Sequence, residues 1–140
     1  MPAVNPALNH PVRALVFVCV ENSCRSQIAE AFARRHGGAS VEVYSAGSRP
    51  SGRVNPKAVV SMAEVGYDLT THRGKGLADL PPHEFDVIVT MGCGDACPHL
   101  PARRRADWQI PDPNDMDPAA FRAVRDQIEK EVLALLVTLT

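Results

Sequence analysis

The stretch Val16 to Phe32, VFVCVENSCRSQIAEAF, decides how the rest of the chain is read. An apolar, β-branched run from Leu15 to Val18 has the composition of a buried strand and ends in Cys19. A polar loop follows, then Arg25 and Ser26, then a helical pattern from Gln27 to Arg35. A cysteine therefore stands where a strand becomes a loop, and an arginine where the loop becomes a helix. The five residues between them, Val20, Glu21, Asn22, Ser23 and Cys24, are enough to curl the backbone into a cup of inward N–H groups. The helix behind the cup adds the positive end of its dipole, so the cup suits a tetrahedral oxyanion.

Each residue type in the cup has chemistry to match. A thiol reacts as thiolate, and a helix N-terminus or a nearby cation lowers a cysteine pKa from about 8.5 to roughly 3.5–7.5. Cys19 has both at hand. Arg25 offers a planar fork of donors that fits two oxygens of a phosphate-like ion, and Ser26 can donate its hydroxyl to the Cys19 sulfur. A buried strand-end cysteine and an unrelated surface arginine would explain either residue alone. They do not explain Cys, five residues, Arg and Ser set between a strand and a helix.

Working outward, the first strand is expected over Arg13 to Cys19, apolar throughout as befits a central parallel strand. Further strands are expected over Val41 to Ser45, over Phe85 to Met91 (FDVIVTM), and as a short last strand over Ala106 to Ile110. Helices are expected from about Pro56 to Val65, capped by Asn55 and stopped by Gly66, and from Pro118, where Phe121, Val124, Ile128, Val132, Leu135 and Leu139 form a 3.6-residue stripe. Leu69 to Pro82 reads as mostly loop, with a short helix near Leu77. Strands alternating with helices predict an α/β fold, a parallel sheet with right-handed crossovers and a ligand at the carboxyl ends of its strands.

Composition narrows the functional classes. At 140 residues and 45% hydrophobic, the chain reads as a loose tail over 1–12, with three prolines and no periodicity, and one domain over 13–140. A formal charge of −1 gives no general attraction to nucleic acid or membrane. Arg103, Arg104 and Arg105 read as solvated surface, with docking of an acidic partner as the alternative. The run Ala14 to Val20 is too short for a membrane span and lacks a cleavage pattern, which argues for a cytoplasmic protein. Four cysteines, two flanking the anion loop and two (Cys93, Cys97) in a Gly-rich loop, suit functional thiols in a reducing compartment better than a disulfide scaffold. Cys93, Cys97 and His99 also have zinc-like spacing, without an obvious fourth ligand.

CVENSCRSQIAEAF resembles the signature of the low-molecular-weight protein tyrosine phosphatase superfamily, and in particular its thioredoxin-coupled arsenate reductase branch. VYSAG at Val43, VNPKAVVSMAEVGYDLTTH from Val54, FDVIVTM from Phe85 and the Asp112–Pro113 pair follow in the family's order. The resemblance covers nearly everything after Arg13. It implies a three-layer sandwich, a central four-stranded parallel sheet flanked by helices. It implies Cys19 as the thiol that attacks arsenate, Arg25 and the loop as its seat, and Asp112 as the acid that protonates the departing oxygen. Asn22, Ser26, Ser45 and His72 match a hydrogen-bonded network bracing the loop. Cys93 and Cys97 match a pair that carries oxidation outward as disulfides, regenerated by thioredoxin, while Cys24 would be accessory.

The same resemblance leaves other donors and activities open. Some relatives use a low-molecular-weight thiol such as mycothiol with a mycoredoxin, and others are phosphatases. The phosphatases place aromatics after the Asp-Pro pair, where this chain has Asn114, Asp115 and Met116. A non-catalytic oxyanion- or zinc-binding module is the alternative from another class. Some arsenate reductases bind potassium through residues matching Asn22, Glu30 and Ser45. Arg73 and Lys75 would set two more cations beside such an ion, so no metal is expected and no cofactor is implied. The family implies a monomer.

Overall fold

The computed structural model describes residues 4–5, 10–82, 84–92 and 100–139. Two two-residue strands, β1 (Val4–Asn5) and β2 (His10–Pro11), pair antiparallel ahead of the main sheet. The expected tail is thus folded back on itself at these four positions.

The sheet is built from β3 (Arg13–Cys19), β4 (Val41–Gly47), β5 (Phe85–Thr90) and β6 (Ala102–Asp107), all parallel, in the order β4-β3-β5-β6. After β3 the chain goes first to one side, to β4, and then to the other, to β5. The loop following Cys19 therefore lies at the point where the strand order reverses, the place such sheets offer to ligands.

The alternation of β3 explains why it is buried from Ala14 to Cys19. Leu15, Phe17 and Cys19 face a core shared with α1 (Arg25–Gly37), α2 (Pro56–Ala63) and α3 (Pro118–Val137), through Ile28, Phe32, Ala58, Met62, Phe121, Ile128 and Val132. Ala14, Val16 and Val18 face the opposite side with Phe85 and Ile88, under Leu77, Leu80, Leu100 and Tyr44. The expected stripe is buried on α3 from Phe121 to Leu135, while Leu139 lies past the helix end and is partly buried. Both faces of the sheet are covered, as a parallel sheet requires, and the three-layer α/β architecture with its four-stranded sheet is the observed one.

Caps follow local chemistry. Asn55 accepts from the N–H of Lys57 ahead of Pro56, and Asp117 accepts from that of Ala120 ahead of Pro118. Single 3-10 turns occupy Gly38–Ser40, Leu69–Thr71 and Leu77–Asp79, the last near the expected short helix. The last strand is the clearest departure, since Ala102–Asp107 replaces the expected Ala106 to Ile110. As an edge strand it is exposed at Arg103, Arg104 and Arg105, so charge hid its pattern while guarding the edge against pairing. Among the described residues no helix is long and apolar enough to cross a membrane.

Candidate active site

Cys19 ends β3, and the next five residues turn back into α1. Each of their carbonyls accepts a hydrogen bond from another part of the chain. Those of Val20, Glu21 and Ser23 accept from the N–H groups of Arg49, Ser51 and Asn55 at 2.8, 3.1 and 2.7 Å. The Asn22 carbonyl takes the Gln27 side chain at 3.0 Å, and that of Cys24 takes the Ile28 N–H at 3.0 Å. None of the N–H groups of residues 20–24 has an acceptor among the described residues. With every carbonyl engaged, the loop keeps its donors for an anion. α1 extends that array, because it begins at Arg25 with no side-chain cap and no acidic residue in its first turn.

Two tight approaches hold this geometry. A Cβ on Gly47, at the end of β4, would lie 2.6 Å from the Val20 carbonyl and 2.8 Å from the Asn22 nitrogen, so only glycine lets the loop rest on the strand. Asn22 itself has φ 53°, a left-handed conformation that asparagine tolerates better than most residues.

Cys19 Sγ lies 2.9 Å from Ser26 Oγ, and both residues are buried. Arg25 is 8% exposed, donates to the carbonyl of Ile110 at 3.1 Å and reaches within 3.9 Å of Asp112. A cavity of about 480 Å³ opens above the sulfur, lined by Cys19, Val20, Glu21, Ser23, Cys24, Arg25, Arg49, Asp112 and Asn114. No aromatic side chain is among these wall residues. Trp108 instead packs on Phe17 within the core, ring centroids 5.8 Å apart. Of the acids near Asp112 in sequence, Asp107 bonds Thr90 and Gln109, Asp117 caps α3, and neither these nor Asp115 lines the cavity, whereas Asp112 does, together with Glu21. Burial, with Cys19 and Asp112 close by, pushes the Cys24 thiol up to about 12, so it stays protonated.

The four residues expected to brace the loop do come together, through partners that pattern reading missed. Asn22 donates to Ser26 Oγ at 2.8 Å. Gln27 stands between Asn22 and His72, bonded to both, and Tyr67 closes the other side of His72 at 2.7 Å. Ser45 donates to Glu30 at 2.5 Å, and Lys75 Nζ donates to the same carboxylate at 3.3 Å. Burial alone would raise the Glu30 carboxyl, but Ser45, Lys75, His72 and Arg34 outweigh it and hold the group below its ordinary value. Burial lowers the His72 ring, opposed by Glu30 and aided by Lys75 and Arg34. The missed residues had one legible signal, the polar series Gln27, Glu30 and Arg34 at helical spacing on α1. It reads as a solvent face, yet Gln27 and Glu30 are buried.

Gly92 has φ 77°, and a Cβ there would sit 2.3 Å from Arg25 Nη1, so the end of the β5 loop rests directly on the guanidinium. Cys93, Cys97 and His99, which follow it in sequence, lie outside the described residues.

A family model described as low molecular weight phosphotyrosine protein phosphatase matches residues 14–140. The glutaredoxin arsenate reductase of Synechocystis sp. is 34% identical over 132 residues, covering 92% of this chain and 100% of its own. Arsenate reductase 2 of Staphylococcus epidermidis is 37% identical over 124 residues, covering 86% and 93%. A solved arsenate reductase in the phosphate-binding state superposes with a TM-score of 0.83 at 33% identity, over 92% of this chain and 100% of that one. The thioredoxin-dependent arsenate reductase of Corynebacterium glutamicum superposes at 0.75 and 31% identity, over 91% and 62%. With its anion loop, its sheet and the match from residue 14 onward in agreement, the chain belongs to the low molecular weight phosphotyrosine protein phosphatase family and is similar along most of its length to arsenate reductases.

Proposed function

We propose that this chain reduces arsenate to arsenite, through a covalent adduct on Cys19 and a disulfide relay through Cys93 and Cys97 that thioredoxin regenerates. The observation that carries the reading is the cavity above Cys19: a floor of backbone donors with no acceptor among the described residues, the buried Arg25, the exposed carboxylates of Asp112 and Glu21 at its rim, and no aromatic side chain among its lining residues. Such a space suits an inorganic oxyanion better than a phosphorylated ring. Similarity to arsenate reductases, one of them solved in a phosphate-binding state, supports the same substrate class.

The amides of residues 20–24 and the Arg25 fork hold arsenate, and the Cys19 thiolate attacks arsenic. An oxygen leaves with a proton from Asp112, giving a Cys19 thiol-arsenate adduct. Cys93 thiolate then attacks the Cys19 sulfur. The S–As bond breaks with its electron pair passing to arsenic, which leaves as arsenite, and a Cys19–Cys93 disulfide remains. Cys97 attacks Cys93, frees Cys19, and leaves a Cys93–Cys97 disulfide for an external dithiol. Gly92 against Arg25 supports this order, since Cys93 is the residue after a backbone position already in contact with the anion site. Localisation in the cytoplasm, action as a monomer and a flexible N-terminal segment ahead of one catalytic domain are proposed on the family resemblance.

A small-thiol donor is the second reading, since one relative is named for glutaredoxin and one solved relative for thioredoxin. The two separate in a single turnover. Fully reduced protein, stripped of free reductant and given arsenate, is expected to release one arsenite per chain and lose two thiols. Release only after a small thiol is added would point to the second reading, and hydrolysis of p-nitrophenyl phosphate at rates comparable to arsenate turnover would point to a phosphatase.

A further inference from the structure

The buried hydrogen bonds behind Cys19 have a direction, and the backbone sets it. The N–H of Lys75 donates to one side-chain atom of Asn22 at 2.7 Å. A backbone N–H cannot accept, so that atom is the amide oxygen, and the Asn22 nitrogen is the atom facing Ser26 Oγ. Ser26 accepts there and keeps its own hydrogen, and a Cys19 thiolate, which can only accept, takes that hydrogen at Sγ, 2.9 Å away.

Gln27 is fixed by the same logic. One of its amide atoms faces the carbonyls of Asn22 and Arg73 at 3.0 and 2.7 Å, both of which only accept, so this atom is the nitrogen. The Asn22 side-chain oxygen lies 2.9 Å from the same nitrogen, so that nitrogen's two hydrogens serve three acceptors and one hydrogen is shared between the two Asn22 oxygens. The Gln27 oxygen must then accept from His72 Nδ1 at 2.9 Å, which leaves His72 Nε2 to accept from the Tyr67 hydroxyl at 2.7 Å. Gln27 is fully buried and bonded at every point. It holds the Asn22 amide in the one orientation that turns the Ser26 hydrogen toward sulfur.

We propose that Gln27 is a positioning residue: anchored by His72, it donates beside the Lys75 N–H to the Asn22 side-chain oxygen and so keeps the Asn22 nitrogen on Ser26, which makes Ser26 a hydrogen-bond donor to the Cys19 thiolate. The proposal rests on Cys19 being the nucleophile. It assigns Gln27 an effect on sulfur ionisation that a residue filling space would not have.

The test reads Cys19 alone, with no arsenate present. The pH dependence of iodoacetamide alkylation is followed at the Cys19 peptide by mass spectrometry in the native chain, Gln27→Met, Ser26→Ala and the double variant, with folding checked by circular dichroism. Gln27→Asn, which keeps a polar group in the buried seat, asks the same question if the methionine chain does not fold. Loss of one hydrogen bond to a charged sulfur should move the alkylation midpoint up by about one pH unit. Gln27→Met should add nothing once Ser26 is alanine. A folded Gln27 variant with a native Cys19 profile, or an equal shift in the Ser26→Ala background, would overturn the proposal. Because the readout needs no turnover, an inactive native chain with the expected shift would count against arsenate reduction and not against Gln27.

Discussion

Arg25 and Asp112 stand 3.9 Å apart although they come from opposite ends of the chain, one opening α1 and the other on the loop before α3. The Arg25 bond to the Ile110 carbonyl ties that loop down two residues before the acid. In the proposed mechanism Asp112 gives its proton to the departing oxygen. Asp112→Asn keeps the shape and removes the proton, so kcat for arsenate should fall about 10²–10⁴-fold. The inhibition constant of phosphate, which needs no proton transfer, should stay close to native; steady-state kinetics with phosphate as competitor checks both.

Gly92 meets Arg25 so closely that any side chain must displace the guanidinium. In addition, alanine in this left-handed conformation costs about 1–2 kcal/mol. Gly92→Ala should weaken phosphate binding at least about tenfold, read by isothermal titration, through loss of a bidentate contact.

Lys75 reaches the buried carboxylate of Glu30 and the carbonyl of Arg73. Removing one partner of a buried pair costs roughly 3–5 kcal/mol, toward the low end here because Arg34 also holds Glu30. Lys75→Met should lower unfolding stability accordingly, and Glu30→Gln in the same chain should recover part of the loss. With an ammonium already beside Glu30, exchanging sodium for potassium should leave kcat/KM unchanged in the native chain.

How much of this was legible in sequence depends on range. Strand β3, its loop and α1 are local: an apolar run, a Cys-to-Arg spacing and a helical period say what they are without reference to anything distant. Asn55 was readable as a cap for the same reason. Strand β6 was not, because an exposed edge needs no apolar alternation and three arginines fill it. Gln27 was invisible because its partners Arg73 and His72 lie 46 and 45 positions away, and a buried polar stripe on a helix looks like a solvated one until the neighbouring loop is seen; Lys75 was placed beside Glu30 by the family resemblance alone.

The direction of the His72 and Glu30 shifts gives a pH profile for stability. His72 is held neutral below its ordinary 6.5, so as pH falls through 6.5 the unfolded chain takes up a proton that the fold resists, and stability drops. Glu30 stays ionised below its ordinary 4.5, so its contribution is present above 4.5 and is lost as pH falls below it. Urea unfolding from pH 7.5 down to 4 should show both phases, and His72→Gln should remove the first; a flat profile between 7.5 and 5.5 in the native chain would contradict the assignment.

The central claim is most directly tested by arsenite production from purified protein with thioredoxin, thioredoxin reductase and NADPH, comparing the native chain with Cys19→Ser, Cys93→Ser and Cys97→Ser. Turnover is expected from the native chain and from none of the three variants. Sustained turnover by Cys93→Ser or Cys97→Ser would contradict the relay, and turnover by Cys19→Ser would contradict the site itself.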